Sequence, residues 1–229
     1  MRFDTPMTGT DPTEIDRAAI RAMRRSYGEQ GLSEANVLAD PIKQFQLWLK
    51  QAAENQFIVE PNAMVLSTVS ENAPTSRTVL LKDVDNEGFT FFTNYESRKS
   101  QQISNNANVS LLFPWYSMER QVIVLGTAKK ISEQESKDYF ATRPWSSQIG
   151  AWASSQSAPL ASREELEKRW KEFAELHPEG SEVPKPPHWG GFVVSPSSIE
   201  FWQGRYSRLH DRLRFTNENG GWKMLRVYP

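Results

Sequence analysis

Cysteine is missing from all 229 residues, which excludes disulfides and thiolate-bound metal. Imidazoles are scarce as well: His177, His188 and His210 are the whole supply. A structural zinc needs a richer ligand set, so no metal is expected. No apolar run approaches the roughly 20 residues that span a bilayer. The sequence also lacks the basic-then-apolar opening of a signal peptide. The expectation is a cytoplasmic protein with no membrane partner. Positive charge is not in surplus either: 27 Lys and Arg stand against 28 Asp and Glu, a net charge of −1. General nucleic-acid binders carry a strong basic excess, so nucleic acid is not an expected partner. The Gly-rich dinucleotide fingerprint, the P-loop and Gly-x-Ser-x-Gly are all absent. What is present is ordinary for a globular chain, 38% hydrophobic and 24% charged. The length suits one large domain or two small ones.

Residues 1–10 carry no periodic pattern and are expected to be disordered. Asp11-Pro12-Thr13-Glu14 reads as a helix start, with an N-cap, a Pro in the first turn and a Glu completing the box. Ile20, Met23 and Tyr27 would line one face of that helix, and Arg17, Arg21, Arg24 and Arg25 the other, with Gly28 and Gly31 ending it. Such a basic face is either solvated or set against a ligand's charge. Asp40-Pro41 repeats the start signal, and Ile42, Phe45, Leu49 and Ala52 share one face of a second helix.

From Ala63 the period changes to two. Strands are expected over 63–69 and 76–82, joined by a turn at Glu71-Asn72-Ala73-Pro74, then over 89–93, 107–113 and 120–129. Five strands so closely spaced leave no room for repeated βαβ crossovers, so an antiparallel barrel or sandwich fits. Ser132 with Glu135, and Ser162 with Glu165, are capping boxes for two further helices. Pro144 ends the first of these and starts another short one, with Trp145 and Trp152 as anchors. Beyond an extended linker at 178–187, strands return over 189–194, 199–203, 207–215 and 222–227, the last hairpin turning at 217–221. The fold class is mainly β with peripheral helices.

Several clusters could carry chemistry. Arg208, His210 and Arg212 are spaced by two, so in a strand they would share one face, with Leu209 and Asp211 on the other. The row reads either as a charged edge that discourages pairing or, given Phe201 and Trp202 beside it, as an anion site in a small-molecule pocket. Asp211 faces away from His210 in that arrangement, which disfavours a hydrolase triad. Arg77 and Lys82 bracket an apolar strand on opposite faces, so serving one ligand requires a bulge or a strand end between them. Ser97-Arg98-Lys99 opens a helix, where free N–H groups favour an anion. Gln121 falls in the row of Ile123 and Leu125, either meeting a heterocycle or bonding to backbone. Tyr139 and Arg143 are helical neighbours with Ser147 close behind, suiting either a phosphate or an ordinary helix-end cluster.

Taken together, these motifs resemble those of the pyridoxamine 5′-phosphate oxidase family. The similarity rests on Arg77-Thr78-Val79-Leu80-Leu81-Lys82, Phe92-Thr93-Asn94, Ser97-Arg98-Lys99, Leu112-Phe113-Pro114-Trp115 and Glu119-Arg120-Gln121. It continues through 147–152, 189–192, Glu200-Phe201-Trp202-Gln203-Gly204 and Arg208-Leu209-His210-Asp211-Arg212. It runs in order from about Met23 to the C-terminus. The resemblance implies an FMN-binding split β-barrel over 40–229, with a helical insert at 132–176 and an N-terminal arm at 1–39. It implies a homodimer with FMN sites at the subunit interface. The activity it implies is oxidation of pyridoxamine or pyridoxine 5′-phosphate to pyridoxal 5′-phosphate, with O2 reduced to H2O2. Carried over by motif, FMN would be held by Arg77, Thr78, Val79, Leu80, Leu81, Lys82, Phe92, Thr93, Arg98, Lys99, Gln121, Gln156, Ser157, Trp202 and Arg212. Substrate would be held by Lys82, Tyr139, Arg143, Ser147, Arg208, Leu209 and His210, with Arg24, Arg25, Ser26 and Tyr27 closing over it. Arg208 and His210 would be the catalytic pair. Phe92 stands where the family commonly has Tyr, and the chain ends Val227-Tyr228-Pro229 rather than Leu-Ala-Pro.

Overall fold

A computed structural model describes residues 17–23, 26–218 and 220–229. The expected helix start at Asp11, the disorder expected of residues 1–10, and Arg24 and Arg25 lie outside the described residues. The elements are α1 (Arg17–Ala22), α2 (Pro41–Ala53), β1 (Ala63–Ser70), β2 (Ala73–Leu80), β3 (Asp83–Val84), β4 (Phe89–Asn94), α3 (Arg98–Asn105), β5 (Asn108–Trp115) and β6 (Arg120–Lys130). There follow α4 (Glu133–Ala141), α5 (Trp145–Ala153), α6 (Arg163–Leu176), β7 (Trp189–Gln203), β8 (Asp211–Glu218) and β9 (Gly221–Arg226).

All pairing in the sheet is antiparallel, in the order β2-β1-β5-β6-β7-β4-β3, with β8 and then β9 added to the far half of β7. Strand β2 passes into β3 through Leu81 and Lys82, and the Lys82 N–H donates to Thr90 O. The two ends of the strand order therefore meet, and the sheet curls on itself. Local chemistry explains the turns. Glu71 and Asn72 both adopt left-handed backbone (φ 50° and 62°), forming the two-residue hairpin that suits strand twist. This places Pro74, expected in the turn, inside β2, which tolerates it as an edge strand.

Helix α2 closes one end of the curled sheet. Asp40 accepts from the Ile42 and Lys43 N–H groups and Pro41 occupies the first turn, as its sequence signals. The buried face carries Ile42, Phe45, Trp48 and Ala52. Phe45 meets Phe89 and Phe113 edge-on at 4.9 and 4.7 Å. Each such fully buried side chain contributes about 1.5–3 kcal/mol, so this aromatic plug fixes the barrel's end. Around α4, Ser132 and Glu135 form the reciprocal capping box. Trp145 and Trp152 anchor α5 by donating from their indole N–H groups to His177 O and Pro184 O.

Two expectations are corrected here. Strands expected separately at 189–194 and 199–203 are one strand, β7, because an extra residue at Ser197 is absorbed as a bulge opposite Leu125 and Gly126. The N-terminal helix ends at Ala22, short of Tyr27, and two residues of its expected apolar stripe face solvent, Ile20 being 51% and Met23 60% exposed. No helix among the described residues is long and apolar enough to cross a membrane.

Candidate active site

A cavity of about 650 Å³ opens between β2, β4, α4, α5 and the start of β7, within the usual range for a small-molecule site. Eleven of the residues picked from sequence line it: Thr78, Val79, Leu80, Lys82, Phe92, Thr93, Lys99, Tyr139, Arg143, Ser147 and Gln156. The end of β2 at Leu80 re-aims the chain, which is how Lys82 reaches the cavity despite its distance of five residues from Arg77. Arg77 itself is not on the cavity wall. Its guanidinium donates to Leu66 O, Thr68 Oγ1, Thr75 Oγ1 and Gln102 Oε1, a network that ties β1 and β2 to α3. Leu81 is core, and Arg98 is exposed at the first turn of α3. Ser157, next to the lining Gln156, is exposed with left-handed backbone (φ 73°).

Two cations dominate the cavity. Lys99 is buried, and its Nζ donates to Thr93 Oγ1, Ser97 Oγ and Gln156 Oε1 at 2.9, 3.2 and 2.9 Å. Burial, and secondarily the nearby Arg77, bring its pKa down to about 8. None of its partners is an anion, so its charge is solvated by dipoles alone. The Ser97 side chain makes no capping bond to α3; its hydroxyl donates to Asn94 O. Arg143 is the sharper case. Burial lowers its pKa, and its Nη1 is buried with no hydrogen-bond partner. A buried unpaired donor is costly, so a cationic one inside a cavity is a position built for an external acceptor. The aromatic wall is continuous: Phe92 stacks on Tyr139 at 3.8 Å and on Trp189 at 5.3 Å. Asn94 and Trp189 line the cavity without having been picked as site residues, although both stand in the quoted motifs.

The remaining candidates form a second group at the other end of β7. Trp202 pairs in register with Gln121 and Arg212. Gln121, Ile123 and Leu125 lie on the outer face of β6, where Gln121 is half-buried. His210 sits between the rings of Tyr27 (5.2 Å) and Trp202 (4.7 Å). The Arg205 N–H donates to His210 Nδ1, so a neutral ring carries its hydrogen on Nε2. Burial, followed by the charge of Arg208, lowers the His210 pKa. Gly204 makes room for Tyr27: a Cβ there would come within 2.6 Å of the ring.

The shared strand face expected for Arg208, His210 and Arg212 is not present. Residues 206–208 form a 3-10 turn, with Ser207 and Arg208 at positive φ, and β8 starts only at Asp211. Arg208 and Leu209 are exposed, and so is Ser26. Arg212 is bound to Glu200 at 2.8 Å and to Tyr228 O, while Arg214 takes the other carboxylate oxygen of Glu200. Asp211 turns from His210 to accept from the Leu32 N–H and to pair with Arg205 and Arg226.

Trp189 and Trp202 stand thirteen positions apart on one strand, about 40 Å if the strand were straight. Within one chain, the second group does not line the cavity.

Two sequence profiles of known proteins match the chain. The sequence profile described as "Pyridoxamine 5′-phosphate oxidase" matches residues 50–177, more than half the chain. The chain belongs to the pyridoxamine 5′-phosphate oxidase family. A second profile, the "Pyridoxine 5′-phosphate oxidase C-terminal dimerisation region", matches 189–229 and so contains Trp202, Arg208, His210 and Arg212. Among family members, the pyridoxine/pyridoxamine 5′-phosphate oxidase of Streptomyces avermitilis is 48% identical over 97% of this chain and 100% of its own length. That of Rubrobacter xylanophilus is 52% identical over 93% and 98%. Among solved structures, PhzG from Burkholderia lata in complex with tetrahydrophenazine-1-carboxylic acid superposes with a TM-score of 0.81 at 28% identity, over 88% of this chain and all of that one. An FMN-binding protein from Nostoc punctiforme related to this family shares the split-barrel fold, with a TM-score of 0.67 at 14% identity over 84% of this chain and all of that one.

Proposed function

We propose that this chain is an FMN-dependent oxidase that converts pyridoxamine or pyridoxine 5′-phosphate to pyridoxal 5′-phosphate, O2 being reduced to H2O2. The observation that carries this reading is the buried Arg143 with its unpartnered Nη1, in an aromatic-walled cavity that also holds Lys99. Two buried cations with no anion of their own suit two phosphorylated ligands. We assign the flavin phosphate to the Lys99 side, with Arg77 holding that wall in place and Arg98 adding charge at its rim. We assign the substrate phosphate to Arg143, Lys82, Tyr139 and Ser147. FMN, when bound, supplies the hydride acceptor.

The second group completes the site from a neighbouring copy. It cannot line the cavity of its own chain, and it lies in the segment that matches a dimerisation region. In a homodimer, Trp202, Gln121 and Arg212 of one subunit would border the flavin held by the other. Arg208, Leu209 and His210 would cover the substrate ring, with Tyr27 of the arm packed on His210. In its present tautomer His210 offers Nε2–H, so it orients a ring substituent by donating rather than by removing a proton.

The experiment is a visible spectrum of the purified protein before and after anaerobic addition of pyridoxamine 5′-phosphate. A flavin spectrum that bleaches is expected; a colourless protein that takes up no FMN would overturn the assignment. The likeness to PhzG favours a second reading, oxidation of a phenazine-type carboxylate. Oxidase assays comparing that carboxylate with pyridoxamine 5′-phosphate separate the two. The Arg143 site, matched to a dianion, favours the phosphate.

A further inference from the structure

Several arginines of this protein are held by carboxylates, Arg212 and Arg214 by Glu200 and Arg226 by Glu34 and Asp211; Arg120 rests on the Trp48 ring, but its donors are taken by Gln203 and Gln51. Arg143 is held differently. Its guanidinium carbon lies 4.7 Å from the centre of the Trp189 ring and 5.5 Å from that of Phe140. Among the described residues no carboxylate pairs with it, and one of its nitrogens has no partner at all.

The Trp189 ring is in turn fixed on every side. It stacks on Phe92 at 11° and on Tyr139 at 4°, and Phe140 meets it nearly edge-on at 5.0 Å. Its backbone is fixed too: the buried Lys185 Nζ donates to Trp189 O at 2.6 Å, and the Trp189 N–H donates to Pro186 O. A carboxylate in this place would orient Arg143 equally well but would neutralise it and occupy its donors. An aromatic face attracts the cation through its quadrupole and leaves the N–H groups free.

We infer that Trp189 is a positioning residue: its ring face seats the Arg143 guanidinium with its charge unspent, and so sets the affinity of the cavity for a phosphate-bearing ligand over the same ligand without phosphate. This rests on the proposed function, which makes Arg143 the phosphate contact. Trp189 need not touch the phosphate itself.

The test is equilibrium binding of pyridoxal 5′-phosphate, and of pyridoxal without phosphate, to the full-length holoprotein by titration calorimetry. Trp189→Leu should weaken pyridoxal 5′-phosphate about tenfold while moving pyridoxal less than about twofold, and Trp189→Phe, which keeps a ring face, should recover most of the loss. In an Arg143→Ala background, Trp189→Leu should add no more than about twofold, since the group it seats is gone. Should Trp189→Leu not fold, Trp189→Met supplies the non-aromatic variant. Equal loss for both ligands, equal loss in both backgrounds, or no recovery with Phe would each overturn the inference. If Arg143→Ala alone leaves pyridoxal 5′-phosphate binding unchanged, the phosphate assignment fails. If it weakens binding and Trp189→Leu does not, only the role of Trp189 fails.

Discussion

The two ends of β7 hold cations under opposite conditions. At the Trp189 end, Lys99 and Arg143 are buried among hydroxyls, amides and aromatic rings, with no carboxylate against them. At the Trp202 end, Glu200 holds Arg212 and Arg214, and Asp211 holds Arg205 and Arg226. Burying a charge without a counter-ion works against folding. Arg120, also at the Trp202 end, is buried without a carboxylate, but Gln203 and Gln51 take its donors; a buried guanidinium nitrogen without a partner is found, among the described residues, only at the Trp189 end. Removing a cation from the first end should therefore impair binding, whereas removing an anion from the second should impair stability.

The largest expected effect is that of Arg143→Ala. Loss of a charge-assisted phosphate contact is worth about 1.5–3 kcal/mol, and should appear as a higher KM for pyridoxamine 5′-phosphate with kcat little changed. An unchanged KM would break the comparison at its first term. Next is Glu200→Ala, which frees two arginines. With Arg212 and Arg214 partly exposed, a loss of about 1–3 kcal/mol is expected, visible as a melting temperature lower by several degrees. Full stability with altered flavin retention alone would mean that Glu200 serves the ligand rather than the fold.

The third test is pH. Lys99 has a folded pKa near 8, below its ordinary 10.5, because burial disfavours the charge. Below pH 8 it is charged in both states. Between about 8 and 10.5 the unfolded chain binds the extra proton, so the FMN-free protein should gain stability as pH rises through that window. FMN affinity should move the other way, weakening above pH 8 as the phosphate's counter-charge is lost. Thermal melts and flavin fluorescence titrations over pH 7–10 check both signs. The smallest effect is expected from Arg208→Ala. This residue is exposed in a single chain, so melting should be unaffected, while kcat should fall and KM hold. A fall in stability instead would move Arg208 into the structural class.

What was legible in the sequence was whatever local chemistry decides. Asp40-Pro41 and Ser132 with Glu135 cap the helices they announce, and the strands from Ala63 to Lys130 follow the period of two. Thirteen of the cavity's lining residues come from the two blocks 78–99 and 139–147, where the motifs are dense. The misreadings have non-local causes. Residues 207–210 alternate like a strand, yet Ser207 and Arg208 adopt left-handed backbone with no Gly to signal it. Pro196 looks like a strand break because a bulge beside it is invisible to periodicity. The arm residues Gly28 and Leu32 are fastened by their N–H groups to Glu119 and Asp211, far away in sequence. Trp189 was read as part of a strand because the guanidinium resting on it comes from another element.

The extra residue at Ser197 has an orientational consequence. Thirteen positions along a regular strand would put Trp189 and Trp202 on opposite sides of the sheet. One surplus residue shifts the phase by half a period, so Phe192 and Val194 before it point inward with Ile199 and Phe201 after it, and both tryptophans turn outward. Deleting Ser197 would leave one tryptophan where it is and drive the other into the barrel. The shared outward direction of the two tryptophans, on which the proposed two-subunit site depends, is owed to a single serine.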